Sequence, residues 1–266
     1  MADLKSVKRV VVKVGTSTLT HENGRLNIRR IEQLARTLSD LKNNGMEIIL
    51  VTSGAVGLGM ARMGLQGKPK DMRMKQAAAA VGQSELMNIY SKMFGEYGYK
   101  VAQLLLTRDV ADTEELRNNV SNTFNTLIEL DIIPIVNEND TISTFELNHI
   151  TAFGDNDTLS AVVAELCSAD ALVILSDIDG LYDANPREYE DARLIPIVRE
   201  ITDEMRKSAG GSGTARGTGG MATKITAAEN MMAQGKVMVI MAGDRPELLY
   251  DLFNGRSVGT VFIPAK

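Results

Sequence analysis

Asp155-Asn156-Asp157 places two carboxylates around an amide at the start of an apolar run with helical spacing. Acids at a helix start cap free backbone N–H groups and sit well in the helix dipole. For Thr158 and one of the two acids, capping and a chemical role are equally open. Two acids and an amide together exceed what capping needs. The cluster suits a cation, an ammonium group or a pair of lysines.

Two lysines stand out. Lys13 lies inside the valine-rich run Arg9 to Val14, and a lysine is rarely buried without a partner. With Gly15-Thr16-Ser17-Thr18 following it, this lysine is expected to point at an anion. Lys224 falls one turn into a helical pattern that opens after the glycine-rich segment AGGSGTARGTGG, residues 209–220. Glycines free backbone N–H groups, and a helix start adds positive potential, so this segment reads as a phosphate site.

Familiar phosphate and nucleophile motifs do not account for it. The P-loop pattern is absent, since Gly235-Lys236 is followed by Val237. Gly217 to Ala222 fits the dinucleotide pattern by letters, but it follows a long loop instead of a first strand. Protein-kinase motifs are missing. His21 and His149 are too isolated for a zinc site, and no serine elbow or Cys/His pair is evident. Phosphoryl transfer without a covalent intermediate remains. It needs positive charge on the moving group, alignment of donor and acceptor, and a metal on the nucleotide. Lys13 and Lys224 supply the charge, and Asp157 is suited to hold both.

These residues need a scaffold that brings distant segments together. Arg9 to Val14, Met46 to Val51, Tyr99 to Leu106, Ile132 to Val136, Ala171 to Leu175, Lys236 to Met241 and Val258 to Ile263 read as strands. Helical patterns alternate with them. Ile28, Ile31, Leu34, Leu38 and Leu41 mark one. The long pattern from Lys70 to Phe94 should turn Leu86, Tyr90 and Met93 inward, and its methionines read as packing. Another helix carries Leu116, Val120, Phe124 and Leu127. After the glycines, Met221, Ile225, Ala228 and Met232 share a face, and Pro246 to Phe253 is a short last helix. The alternation predicts an α/β fold with a mainly parallel sheet covered on both faces. Small polar or acidic residues close four strands: Gly15-Thr16-Ser17, Thr52-Ser53-Gly54, Asn137 to Asp140, and Ser176-Asp177. In an open α/β sheet such ends converge on one crevice.

The length of 266 residues fits one large α/β domain, and no linker or repeat divides the chain. With 34 acids against 29 bases and no basic block, nucleic acid is not expected as a partner. Cys167, the one cysteine, reads as core filler. No secretory pattern and no run of ~18 apolar residues is present, so a soluble cytoplasmic protein is expected.

The segments VVKVGTSTLT, VTSGAVGLGM, IIPIVNEND, FGDNDTLSA, ILSDIDGLYDANPR and GTGGMATKI, in this order, resemble the glutamate 5-kinase family of the amino acid kinase superfamily. The likeness runs from Arg9 to the final strand. It implies a three-layer sandwich with a central, mainly parallel sheet, the acceptor bound by residues 1–165 and the nucleotide by residues 166–266. It also implies ATP-dependent phosphorylation of the L-glutamate γ-carboxylate to γ-glutamyl 5-phosphate, the first step of proline biosynthesis, with Mg2+ accompanying the nucleotide. By the resemblance, Lys13 and Lys224 are the phosphoryl-stabilising lysines and Asp157 organises them. Ser53, Asp140 and Asn156 match glutamate-binding positions, with Asn137 and Asp155 close by. Lys13, Ser176, Asp177 and the run Thr218, Gly219, Gly220, Met221, Ala222, Thr223 and Lys224 match nucleotide-binding positions. Ser176 departs from the threonine of some members but keeps the hydroxyl.

The resemblance further implies a homo-oligomer (dimer or tetramer), feedback by L-proline and functional coupling to γ-glutamyl phosphate reductase. Many members carry a C-terminal PUA domain, which this chain, ending at Lys266, is expected to lack. No motif explains Thr141 to Phe153. N-acetylglutamate kinase, aspartokinase, uridylate kinase and carbamate kinase share the nucleotide half, and the NEND and GDND pair sets this chain apart from them. A non-catalytic protein on the same fold would be expected to lose Lys13, Lys224 or Asp157.

Overall fold

The computed structural model describes residues 4–21, 25–143, 145–146, 149–150, 153, 155–186, 188–209 and 220–264. The valine-rich run forms β1 (Arg9–Val14), buried throughout after Arg9. After Gly15 the small residues form a single helical turn, α1 (Thr16–Leu19). Asn27 accepts the Arg30 N–H at the start of α2 (Ile28–Asn43), and Gly45, at φ 90°, turns the chain into β2 (Glu47–Val51). There follow α3 (Ala55–Arg62), α4 (Met72–Gly95), β3 (Val101–Leu106), α5 (Glu114–Glu129) and β4 (Ile133–Glu138). Asp71 caps α4 through the Met74 N–H, and Thr113 caps α5 through that of Leu116.

A two-stranded ribbon, β5 (Phe145–Glu146) and β6 (His149–Ile150), lies within the stretch that no motif explained. Next come α6 (Asn156–Leu166), β7 (Ala171–Ser176), β8 (Ile197–Val198) and α7 (Asp203–Ala209). The chain continues through α8 (Met221–Ala233), β9 (Val237–Ala242), α9 (Leu248–Phe253) and β10 (Thr260–Phe262).

Among the described residues eight strands form one sheet in the order β3-β4-β2-β1-β7-β9-β10-β8. Every pairing is parallel except β9 with β10. Hydrophobic periodicity predicts strands and not their direction, so this antiparallel edge was not legible beforehand. Side chains alternate across a strand, and the two cores follow that rule. Val11, Ile49, Val51, Leu172 and Ile174 pack against Phe124 of α5, Leu159 of α6 and Ile225 of α8. Val10, Val12, Val14, Ile48 and Val173 face Leu34 and Leu38 of α2, Tyr90 and Phe94 of α4, and Leu249 of α9. The result is the helix–sheet–helix sandwich expected of alternating strands and helices.

Two helix faces differ from expectation. In α4 the buried row is Leu86, Tyr90 and Phe94 with Ala78, Ala79 and Gly82, while Met93 is only partly covered. Positions four apart share a helix face more closely than Tyr90 and Met93 do. In α8, Ile225, Ala227, Ala228 and Met231 are buried, and Met221 and Met232 sit at the margin. Cys167 is buried at the end of α6, as core filler should be. No described helix is long and apolar enough to cross a membrane.

Candidate active site

Alternation along β1 puts Lys13 on the same face as Val11, toward α6 and α8. That face is where its partner waits. Asp157, the second residue of α6, has no exposed surface, and Lys13 Nζ lies 2.6 Å from its Oδ1. Lys224, on the first turn of α8, brings Nζ to 3.1 Å from Oδ2. Thr223 Oγ1 stands 2.8 Å from the same Oδ2 and 2.8 Å from the Gly220 carbonyl, so its one proton is shared between them. One carboxylate thus bridges two lysines that enter from opposite ends of the sequence. Burial works to raise the Asp157 pKa, but the two lysines and the Thr223 hydroxyl outweigh it and hold the group at about 2.

The acids at the start of α6 divide the labour. Asp155 is the cap, with Oδ1 accepting from the Asp157 and Thr158 N–H groups and Oδ2 from the Thr158 hydroxyl. Asp157 is thereby free to face the lysines. Asn156 reaches sideways: its Nδ2 lies 2.7 Å from the Thr52 carbonyl, 2.8 Å from Ser53 Oγ and 3.0 Å from Asn137 Oδ1. Asn137 in turn donates to Gln83 Oε1 at 2.8 Å. The Thr52 hydroxyl is 2.7 Å from that of the fully buried Tyr90. Ser53, accepting from Asn156, keeps its own proton for a ligand. These bonds lock the ends of β2 and β4 to α6.

Two cavities open beyond the strand ends. The smaller, about 590 Å³, is lined by Lys13, Ser53, Asn137, Asp140, Asp155 and Asn156, and by the N-terminus of α3 from Gly54 to Gly57. The larger, about 1190 Å³, is lined by Asp177 to Asp179, Leu181 to Pro186, Met205, Ser208 and the start of α8 at Gly220 and Met221. Ser17, Ser176, Asp177 and Lys224 line both. The two spaces therefore meet at Lys224, beside the buried carboxylate. Gly220 precedes α8 and offers no side-chain cap, so among the described residues the first N–H groups of that helix are open to an anion.

Of the residues singled out in the sequence, Lys13, Asp157 and Lys224 come together, as do Ser53, Asn137 and Asn156. Asp140 and Asp155 line the same smaller cavity, and Ser176 donates to Asp177 at 3.2 Å on the wall common to both. Ala222 is exposed and lines neither cavity, whereas Thr223 bonds to Asp157. Lys13 lines the smaller cavity only. Thr218 and Gly219, with most of the glycine-rich segment, lie outside the described residues.

Sequence reasoning missed three residues. Gln83 supports Asn137, and its own Nε2 is buried without a partner among the described residues. Lys75 Nζ pairs with Asp140 at 2.9 Å. Glu138, at the end of β4, accepts the Phe153 N–H and so ties down the far end of the unexplained stretch. Burial raises the Glu138 pKa. Helical periodicity gave Gln83 and Lys75 no signal, because an amide or lysine in a long helix reads as solvated surface. Glu138 was visible as part of a polar strand end, but not as a buried acid.

Comparison with known proteins agrees with this geometry. The model of the amino acid kinase family matches residues 8–242. The glutamate 5-kinase of Clostridium perfringens is 56% identical over 263 residues, covering 99% of this chain and 98% of that protein. The glutamate 5-kinase of Enterococcus faecalis is 50% identical over 260 residues, covering 98% and 96%. Among solved structures, carbamate kinase from Giardia lamblia bound to AMP-PNP superposes with a TM-score of 0.70 at 19% identity, covering 98% of this chain and all of that one. UMP kinase from Bacillus anthracis gives 0.65 at 13% identity, covering 98% and 97%. At such identities the solved structures speak for the fold alone, while the closer sequence relatives speak for the branch. The chain belongs to the amino acid kinase family, in its glutamate 5-kinase branch.

Proposed function

We propose that this chain transfers the γ-phosphoryl group of ATP to the γ-carboxylate of L-glutamate, giving γ-glutamyl 5-phosphate for proline synthesis. The observation that carries the reading is the meeting of two cavities at Lys224, against a carboxylate that holds two lysines. ATP takes the larger cavity through Ser176, Asp177, Gly220, Met221 and Lys224, with Thr218 and Gly219 assigned by resemblance. Glutamate takes the smaller one through Ser53, Asn137, Asp140, Asp155 and Asn156. Acceptor binding thus belongs mainly to residues 1–165 and nucleotide binding to residues 166–266, within one domain.

In the transfer, a γ-carboxylate oxygen bonds to the γ-phosphorus as the bond to the β,γ-bridging oxygen breaks, and ADP leaves with that electron pair. Negative charge spreads over the phosphoryl oxygens and the leaving oxygen. Lys13 and Lys224 face that charge, and Asp157 fixes both ammonium groups before the substrates arrive. The first N–H groups of α8 add donors. No described His/Cys/Asp/Glu group is arranged to hold a metal by itself. Mg2+ brought in on the nucleotide phosphates would neutralise part of their charge, and Asp177, which lines the wall common to both cavities, would be the carboxylate facing it.

The remaining assignments rest on chemistry and kinship. L-Proline shares the α-carboxylate and cationic nitrogen of glutamate without the reactive carboxylate, so it should compete in the acceptor cavity. A homodimer or homotetramer, coupling to γ-glutamyl phosphate reductase and a cytoplasmic location complete the proposal, and the family resemblance of the sequence motifs is what supports them.

Trapping the acyl phosphate as a hydroxamate tests the reading. L-Glutamate should be used at least about 100-fold better in kcat/KM than N-acetyl-L-glutamate, because acetylation removes the ammonium charge and leaves an acid of the acceptor cavity unpaired. L-Aspartate should be poor, and L-proline should raise the apparent KM for glutamate without lowering kcat. Equal use of the N-acetyl compound, or no hydroxamate with glutamate, would replace this reading.

A further inference from the structure

We propose that Lys75 takes the α-carboxylate of the acceptor, beside Asp140, which the resemblance already placed in the acceptor site and which is left to hold the α-ammonium. The inference deepens the reading above and rests on it. The acceptor brings two carboxylates and one ammonium into a cavity of about 590 Å³. Its reacting carboxylate must lie near Lys13 and Lys224, both of which are already committed to Asp157. A second cation is then needed for the carboxylate that does not react.

Lys75 meets that need. It rises from the first turn of α4, lines the acceptor cavity, and holds Nζ 2.9 Å from Asp140 Oδ1. Its side chain is 40% exposed, while that of Asp140 is 16% exposed, so the pair sits at the cavity wall with its lysine open to an incoming anion. The N-terminus of α3 lines the same cavity, and its first N–H groups lack helical partners. Lys75 and that helix start offer the α-carboxylate charge and directed donors together.

The empty and filled states are both neutral at this point. Without substrate, the two side chains satisfy each other. With substrate, one ion pair is exchanged for two, Lys75 with carboxylate and ammonium with Asp140, and no charge is left unpaired on desolvation. Such a device selects acceptors that carry both charges on one carbon. It contributes equally before and during phosphoryl transfer, so it governs KM more than kcat. Lys68 also lines the cavity, but from an exposed loop and without an ion-pair partner among the described residues.

The test uses acceptors that each lack one charge. In the wild-type protein, kcat/KM is measured by hydroxamate trapping for L-glutamate, for 4-aminobutyrate, which lacks the α-carboxylate, and for glutarate, which lacks the ammonium. An analogue that is not turned over is scored by its inhibition constant against glutamate. Lys75→Met should raise the KM for glutamate about 10- to 100-fold, with kcat and the KM for ATP nearly kept. It should leave 4-aminobutyrate unchanged, so that the glutamate preference over that analogue collapses. Lys75→Arg should restore much of the preference. Asp140→Asn should instead erase the preference over glutarate.

A Lys75→Met protein that loses glutamate and 4-aminobutyrate equally would overturn the assignment in favour of a structural role, as would unchanged handling of glutamate. Collapse of the preference in Lys68→Met but not in Lys75→Met would move the contact to the loop. If Lys75→Met does not fold, failure of Lys75→Arg to prefer glutamate over 4-aminobutyrate overturns the proposal. Absence of glutamate phosphorylation in the wild type is a separate result, and it would defeat the functional reading itself.

Discussion

A carboxylate with no solvent exposure would ordinarily take up a proton, and Asp157 keeps its charge because Lys13 and Lys224 stand 2.6 and 3.1 Å from its two oxygens. Its pKa lies at about 2 against an ordinary 3.8. A depressed carboxylate stabilises the fold above its unfolded pKa, and that stability is lost as pH falls through the folded value. Asp157→Asn should therefore be markedly less stable than wild type at pH 6, and the gap should narrow as pH drops from about 4 to about 2. Glu138 has the opposite sign. Burial raises its pKa, helped by Asp140 and Asp155 and opposed by the Phe153 N–H and by Lys75. Glu138→Gln should match wild type below the ordinary carboxylate range and gain relative stability as pH rises through the raised value. Thermal unfolding across pH 2–8 checks both, and parallel curves for wild type and either variant would contradict the assignment. Lys13 was legible in the sequence because a lysine in a valine run has no cheap explanation. Lys75 was not, because a lysine on a helix is normally solvated.

Helices and strands position these groups through contacts that leave little room. The Cβ of an alanine at Gly59 would lie 1.8 Å from the Ala78 carbonyl oxygen, and one at Gly82 would lie 1.8 Å from that of Ala55. Helices α3 and α4 thus cross backbone to backbone, which sets the α3 N-terminus and Lys75 around one cavity. Gly54, at φ 94°, makes the turn that launches α3. Gly82→Ala should cost roughly 1–3 kcal/mol of stability by overpacking and raise the KM for glutamate more than that for ATP. Calorimetry with steady-state kinetics checks it, and unchanged values would mean that the crossing does not shape the acceptor cavity. At this scale the seven expected strands were legible to within two residues, since their apolar runs are nearly unbroken. The helix crossing was not, because a glycine in a helical pattern does not announce which backbone approaches it. The cap on α6 was half legible: two acids stood at the helix start, and only coordinates assign capping to Asp155 and ion pairing to Asp157.

At the scale of the whole molecule, parallel strands deliver their polar ends to one edge, and alternation across β1 turns Lys13 toward the helices that carry Asp157 and Lys224. The first core and the site share a face of the sheet, so the fold positions the chemistry as a consequence of packing. That convergence was foreseeable from strand ends rich in Ser, Asn and Asp, and the antiparallel β10 and the short β8 at the far edge were not. The glutamate-kinase reading makes a sharp demand on the point where the two cavities meet. Lys224 must act on the transferring phosphoryl group and not merely hold substrate. The decisive measurement is the steady-state rate of γ-glutamyl phosphate formation by Lys224→Ala against both substrates, with thermal unfolding as the control for folding. The account predicts a kcat lowered by about 10²–10³ with the KM for glutamate largely kept. Near-normal turnover in a folded Lys224→Ala protein would contradict it.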